Sequence, residues 1–165
     1  MKKIFLIAGL FLMVMTTVAF AKMPREEMYI GGVGAGVSLG YVKQVYGEPA
    51  DIKRFNGEGI RAVTFVYSDT FSITGRTGSR DNRPEEDMIV VGFTCTDPYL
   101  ATKGGIRVGM SYENDVVRKY GSGRAFTNRD GELMYIYDGD RGMQFCFYVD
   151  DDGDTIRKIY QGTEW

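Results

Sequence analysis

The 165-residue chain contains no histidine. That absence removes the side chain most often used as a general base, the commonest neutral metal ligand and the usual switch near neutral pH. Cysteine is limited to Cys95 and Cys146, so a disulfide-dense scaffold is excluded and one bridge is the most the chain could form. An excess of basic residues is also missing, the formal net charge being −2. Nucleic acid is therefore not an expected partner, because its phosphates require clustered Lys and Arg. Beyond the first 21 residues no apolar run is long enough to cross a bilayer, which takes about 20 residues as a helix. No cysteine follows a cut after Ala21, which disfavours a lipid-anchored lipoprotein.

What is present begins with a leader. Lys2 and Lys3 precede an apolar stretch from Ile4 to Met15, and Ala19-Phe20-Ala21 places small residues where a signal peptidase must fit. Residues 1–21 therefore read as a signal peptide cleaved after Ala21, and the mature protein is expected in the periplasm or outside the cell, with no transmembrane segment. An oxidising compartment would permit a disulfide, but strand parity weighs against it. Cys95 shares a face with Ile89, Val91 and Phe93, whereas Cys146 lies with Gln144 and Tyr148, opposite Met143, Phe145, Phe147 and Val149. Sulfurs on opposite faces point different ways, and a bridge also needs Cα atoms within ~7 Å; the pairing stays open.

Self-similarity organises the rest. Gly36-Val37-Ser38 leads into a stretch ending Tyr46-Gly47, and Gly109-Met110-Ser111 into one ending Tyr120-Gly121, one residue longer. Leu39, Val42 and Val45 or Tyr46 have helical spacing, and Val116, Val117 and Tyr120 do the same in the second stretch. Ser38 is a candidate N-cap and Gly47 a residue just past the helix end, where positive φ is cheap without a Cβ. The second stretch has Glu113 and Asp115 early and Arg118 and Lys119 late, matching the helix dipole. Strands are expected over 51–55, 60–67, 71–74 and 88–95, then 124–127, 132–137, 143–149 and 155–161, separated by Gly-, Asn- and Asp-rich turns. For 133–137 both parities are apolar and the inward face is undecided.

The fold class is α+β: two tandem repeats, each a short helical segment followed by an antiparallel meander of three or four strands. The organisation read from this is signal peptide 1–21, first repeat 22–95, linker 96–105 and second repeat 106–165. Each half is small for an independent core, so the halves are expected to pack together, with a groove between two sheets.

The run Gly36-Val37-Ser38 with Val42-Lys43-Gln44-Val45-Tyr46-Gly47-Glu48-Pro49 resembles the repeat of SmpA/BamE-like envelope modules. Val108-Gly109-Met110-Ser111 with Val116-Val117-Arg118-Lys119-Tyr120-Gly121, closing through Gly153 to Ile159, is similar. Two such units look like the beta-lactamase inhibitor protein architecture, and the likeness covers most of residues 30–161. It implies a protein that binds other proteins, as an inhibitor or as part of outer-membrane assembly. The chain departs from it in lacking a lipobox and in following Gly121 with Ser122-Gly123 rather than Glu-Pro. No inhibitory residue matches.

Motifs for chemistry are missing. Asp150 to Asp154 fails the EF-hand count, which wants Gly sixth and Glu twelfth where Thr155 and Gln161 stand. Gly31, Gly32, Gly34 and Gly36 lack the Gly-Lys-Ser/Thr ending of a phosphate loop and read as chain entry into the first helix. No cofactor, no metal and no catalytic residue are expected, and the chain is read as not an enzyme. The long connection 75–87 carries Arg76, Arg80 and Arg83 beside three acids, a place for a charged partner or simply a polar loop. Gln144 and Tyr148 point outward from their strand, and tyrosine suits interfaces. These five residues are the candidate partner-binding set for a protein partner in the envelope or outside the cell. The alternatives are a structural envelope component without a specific partner and, further off, a carboxylate-dependent hydrolase.

Overall fold

A computed structural model describes residues 23–163; the expected signal peptide, 1–21, and its expected cleavage after Ala21 lie outside them. Two short helices and eight strands follow from the sequence signals almost in place. Helix α1 (Leu39–Tyr46) starts at Ser38, whose Oγ accepts the Tyr41 N–H at 3.1 Å. It ends at Gly47, at φ 79°, whose N–H donates to the Lys43 carbonyl at 2.8 Å. Leu39 and Val42, one turn apart, are fully buried, so the helix is held by packing rather than by its own weak propensity at this length.

In the second half Ser111 Oγ accepts the Asn114 N–H at 3.0 Å, and the Gly121 N–H donates to the Val117 carbonyl at 2.8 Å. Between these fixed ends the chain has one residue more than in the first half. The backbone takes it up by widening into a π-helix, Tyr112–Val117, which runs into the short α2 (Arg118–Tyr120). The buried pair is accordingly Tyr112 and Val116, four residues apart.

The strands are β1 (Asp51–Gly57), β2 (Ile60–Ser68), β3 (Phe71–Gly78), β4 (Ile89–Cys95), β5 (Arg124–Thr127), β6 (Leu133–Asp138), β7 (Met143–Val149) and β8 (Ile156–Thr163). They form one antiparallel sheet in the order β1-β2-β3-β4-β8-β7-β6-β5. The expected groove between two sheets is absent from this arrangement: the halves join edge to edge through Phe93↔Gln161, Thr94↔Tyr160 and Cys95↔Ile159. Both helices cover the same face, where Leu39, Val42, Tyr112 and Val116 meet Val63, Phe65, Ile73, Phe93, Phe145, Phe147 and Ile159 in one core. Buried Gln161 fastens the entering chain to that core. Its Nε2 donates to the Met28 carbonyl at 2.9 Å and its Oε1 accepts the Ala35 N–H at 2.7 Å, so both polar ends are satisfied. Segment 96–105 is packed too, Ala101 accepting the Gly31 N–H at 2.9 Å and Thr102 bridging Ile30.

Two local expectations are corrected. Strand β3 continues through Gly75 to Gly78, so Arg76 belongs to a strand and the connection is shorter than 75–87. Gly75 is a packing glycine, not a turn: a Cβ there would come within 2.7 Å of Leu39. In β4, Thr74 pairs with Gly92 and Gly75 with Val90, leaving Val91 as a bulge. The extra residue reverses parity, so Val90 enters the core and Ile89 is 41% exposed, on the opposite side from Phe93 and Cys95.

Candidate functional face

The face of the sheet that carries no helix is set by strand alternation. Across β5, β6, β7 and β8 one row reads Phe126, Met134, Tyr148, Lys158, and the next reads Arg124, Ile136, Cys146, Tyr160, ending at Thr94 on β4. In the other half a third row reads Ile89, Arg76, Ala62, Phe55 from β4 out to β1. Met134, Ile136 and Cys146 form a small buried cluster of their own, with Tyr148 and Tyr160 packed against it. Phe126 at one edge is 48% exposed and Phe55 at the other 54%. Single exposed hydrophobes are ordinary, and it is a contiguous apolar patch that marks an interaction surface.

Charge is arranged around this surface. Lys158 Nζ stands 3.6 Å from the Tyr148 ring centroid and the Arg157 guanidinium 5.7 Å from it, a cation–π arrangement. Glu132 holds both cations, pairing with Arg157 and lying 3.6 Å from Lys158 Nζ, and those contacts hold its carboxyl below the usual range. Burial pushes the Tyr148 phenol and the Cys146 thiol each up to about 12. A thiol held protonated at neutral pH is a poor nucleophile. Cys95 and Cys146 are both free and buried, one in the main core and one in the cluster across the sheet. Among the described residues no group of three or more acidic or thiol side chains is placed to hold a metal ion.

Of the five sequence candidates, Gln144, Tyr148 and Arg76 lie on the helix-free face. Gln144 donates from Nε2 to Asp138 at 3.4 Å. Arg80 is exposed in the turn after β3. Arg83 is occupied: its Nε donates to Asp81 at 2.8 Å, and its carbonyl accepts from Arg61 at 2.9 Å. Hydrogen bonds from Arg83 and Thr77 hold the Asp81 carboxyl far below the usual range. Arg54 pairs with Glu85 at 2.7 Å, so the connection from β3 to β4 is clamped against β1 and β2.

Phe55, Phe126, Met134, Ile136 and Tyr160 are the members of this face that sequence reasoning missed. For Met134 and Ile136 the signal was apolar occupancy of both parities in β6. Tyr135 and Tyr137, by contrast, are core residues. Tyr112 stacks on Tyr135 with centroids 3.7 Å apart, and Tyr137 donates to the Gly121 carbonyl at 2.6 Å.

No family model matches the chain, and no curated protein matches it. Solved structures do. A cysteine-rich secretory protein from Staphylococcus aureus superposes with a TM-score of 0.50 at 12% identity, covering 87% of this chain and 49% of that one. An extracellular protein containing an SCP domain, from Bacillus anthracis, gives 0.50 at 12%, covering 87% and 48%. The chain thus spans about half the length of each. A candidate beta-lactamase inhibitor protein from Streptococcus mutans matches at 15% identity over 87% of this chain and 92% of its own, with a TM-score of 0.32. These likenesses concern the fold. Among the described residues no helix is long and apolar enough to cross a membrane.

Proposed function

We propose that this chain is an exported, non-catalytic protein-binding module whose partner seats on the helix-free face of the sheet. The observation that carries the reading is the alignment of exposed Phe126 and Phe55 with half-buried Tyr148 and Tyr160 on one side of the sheet, uncovered by any described element. Aromatic residues with a cationic rim, here Tyr148 beneath Lys158 and Arg157, are the composition that protein interfaces favour. Export rests on the leader at residues 1–21, and the secretory and extracellular descriptions of the two structures of similar fold support it. The same reading takes the two halves as copies of one helix-plus-four-strand unit, in the manner of the tandem envelope modules.

The test is affinity capture from an envelope extract with the tagged protein and with a Phe126→Asp, Tyr148→Ala variant, at several salt concentrations. A partner held by the parent and lost by the folded variant is expected. Capture by both alike, or by neither, sinks the assignment of the face. Turnover of a glycan, peptide or ester substrate that one carboxylate substitution abolishes would sink its non-catalytic part.

A further inference from the structure

The ladder that joins the two halves is short. Strand β4 pairs with β8 only at Phe93, Thr94 and Cys95, while β8 continues along β7 through Gly162 and Thr163. On the helix-free side, over Gly92 and Gly162, which carry no side chains, lies a cavity of about 490 Å³, within the 300–1,000 Å³ usual for small-ligand sites. Its floor includes Gly92 and Gly162. A Cβ at 162 would collide with the Tyr160 hydroxyl, so the glycine is what lets the Tyr160 ring lie along the strand and form a wall. Phe55, Ile60 and Ala62 supply the facing wall.

One cation lines this apolar space. Arg76 sits between Ile89 and Ala62 in its row, is half-buried, and has no ion pair or side-chain hydrogen bond among the described residues. Elsewhere on the first half the guanidinium groups of Arg54, Arg61 and Arg83 are all engaged with carboxylates or carbonyls. A half-desolvated guanidinium with no partner is complementary to a carboxylate, which it can hold by two parallel hydrogen bonds. Glu58, the acid that also lines the cavity, is exposed on the β1–β2 turn, where solvent screens its charge.

We infer that this cavity is a binding site for a small carboxylate on an apolar or aromatic body, its acid group on Arg76 and its body between Phe55 and Tyr160. Phe55 and Tyr160 also belong to the face proposed to seat a protein partner, and a titration with small ligands alone reads this site with no partner present.

The test is a titration of ¹⁵N-labelled protein with 3-phenylpropionate and with its neutral counterpart 3-phenylpropionamide, followed by NMR. Saturable shifts are expected at the Gly92 and Gly162 amides and at Arg76 Nε, with the acid binding about tenfold more tightly than the amide, the difference one charge-assisted hydrogen bond makes. In Arg76→Met that preference should vanish, and in Glu58→Gln it should persist. Equal affinity for acid and amide in the parent protein overturns the assignment without any variant, as does the absence of saturable shifts at millimolar ligand. Tighter binding of the peptide Gly-Ser-Phe than of 3-phenylpropionate would overturn it in favour of a chain terminus.

Discussion

The two halves of the molecule solve the same problem with different side chains. In each, a serine caps a short helix and a glycine with positive φ ends it. In each, a tyrosine of the second strand donates to that glycine's carbonyl: Tyr67 to Gly47 at 3.2 Å and Tyr137 to Gly121 at 2.6 Å. The helix entry hangs from the chain just before the last strand in the same way, Leu39 N–H on the Met88 carbonyl and Tyr112 N–H on that of Asp154. The fillings differ. The first half buries Leu39 and Met88 beneath its helix, whereas the second buries Tyr112 among Tyr135, Tyr137 and Phe147. There Asp154 points at the helix start, accepting from Ser111 Oγ at 2.6 Å and from the Glu113 N–H at 2.7 Å. The lesson is that a backbone plan fixed by caps and turns tolerates an aliphatic core in one place and a hydrogen-bonded phenol core in the other.

The largest way to separate the halves is alkali. Burial raises the phenols of Tyr112, Tyr135, Tyr137 and Tyr148 in the second half, and Tyr120 is raised by burial and by its bond to Glu27; in the first half only Tyr46 and Tyr67 are raised, Tyr46 to about 12. A phenol whose folded pKa exceeds its unfolded value near 10 stabilises fully below pH 10 and loses that contribution as the pH rises through the folded value. Each such group kept protonated forfeits about 1.4 kcal/mol per pH unit above 10. Stability should therefore fall steeply between pH 10 and about 12. Amide exchange should accelerate first in β6 and β7, with phenolate absorbance at 295 nm rising together with unfolding. Earlier opening of β1 and β2 would contradict the comparison.

Next in size is a truncation pair. Tyr137 is fully buried and bonded to both Tyr112 and Gly121, so Tyr137→Ala should cost about 3–5 kcal/mol in urea unfolding. Its counterpart Tyr67 is only partly buried and makes the longer bond; Tyr67→Ala should cost about 1–2 kcal/mol. Equal losses would mean that the two tyrosines are more alike than their surroundings indicate.

The cap supplies a smaller contrast. Asp154→Ala removes both acceptors at the start of the π-helix and should cost about 1–2 kcal/mol. Met88→Leu, at the matching position, conserves volume and should cost under about 1.5 kcal/mol with the helix start unchanged. Circular dichroism with urea unfolding distinguishes them.

How much of this was legible depended on range. Ser38, Gly47, Ser111 and Gly121 announce the helices because capping is chemistry between neighbours. The Asn- and Asp-rich turns announce the hairpins for the same reason. The single-residue difference between the two helical stretches was visible as well, although its outcome as a π-helix required knowing that both ends are pinned. The bulge at Val91 and the strand position of Arg76 were not legible, since they lie in the pairing of β3 with β4 and in the packing of Leu39 on Gly75. Both are contacts between residues far apart in the chain. The helix-free face was half legible: parity placed Gln144 and Tyr148, but the apolar β6 could not declare which side Met134 and Ile136 take until Tyr137 found Gly121.

The smallest expected effect bears on whether anything covalent ties the halves together. Cys95 belongs to the first half and Cys146 to the second, on strands separated only by β8, so a bridge would staple the two. Alternation defeats it. Cys95 is opposite Ile159 and faces the helices, and Cys146 is opposite Tyr160 and faces away from them. Burial raises both thiols, Cys95 to about 11 and Cys146 to about 12, and oxidants act on the thiolate. Adding reductant should therefore leave the melting temperature unchanged, and mass spectrometry after alkylation in denaturant should find two modified thiols even in protein purified from an oxidising compartment. A melting temperature that falls with reductant would show that the halves are stapled, and that the three-residue pairing of β4 with β8 is not by itself what holds them together.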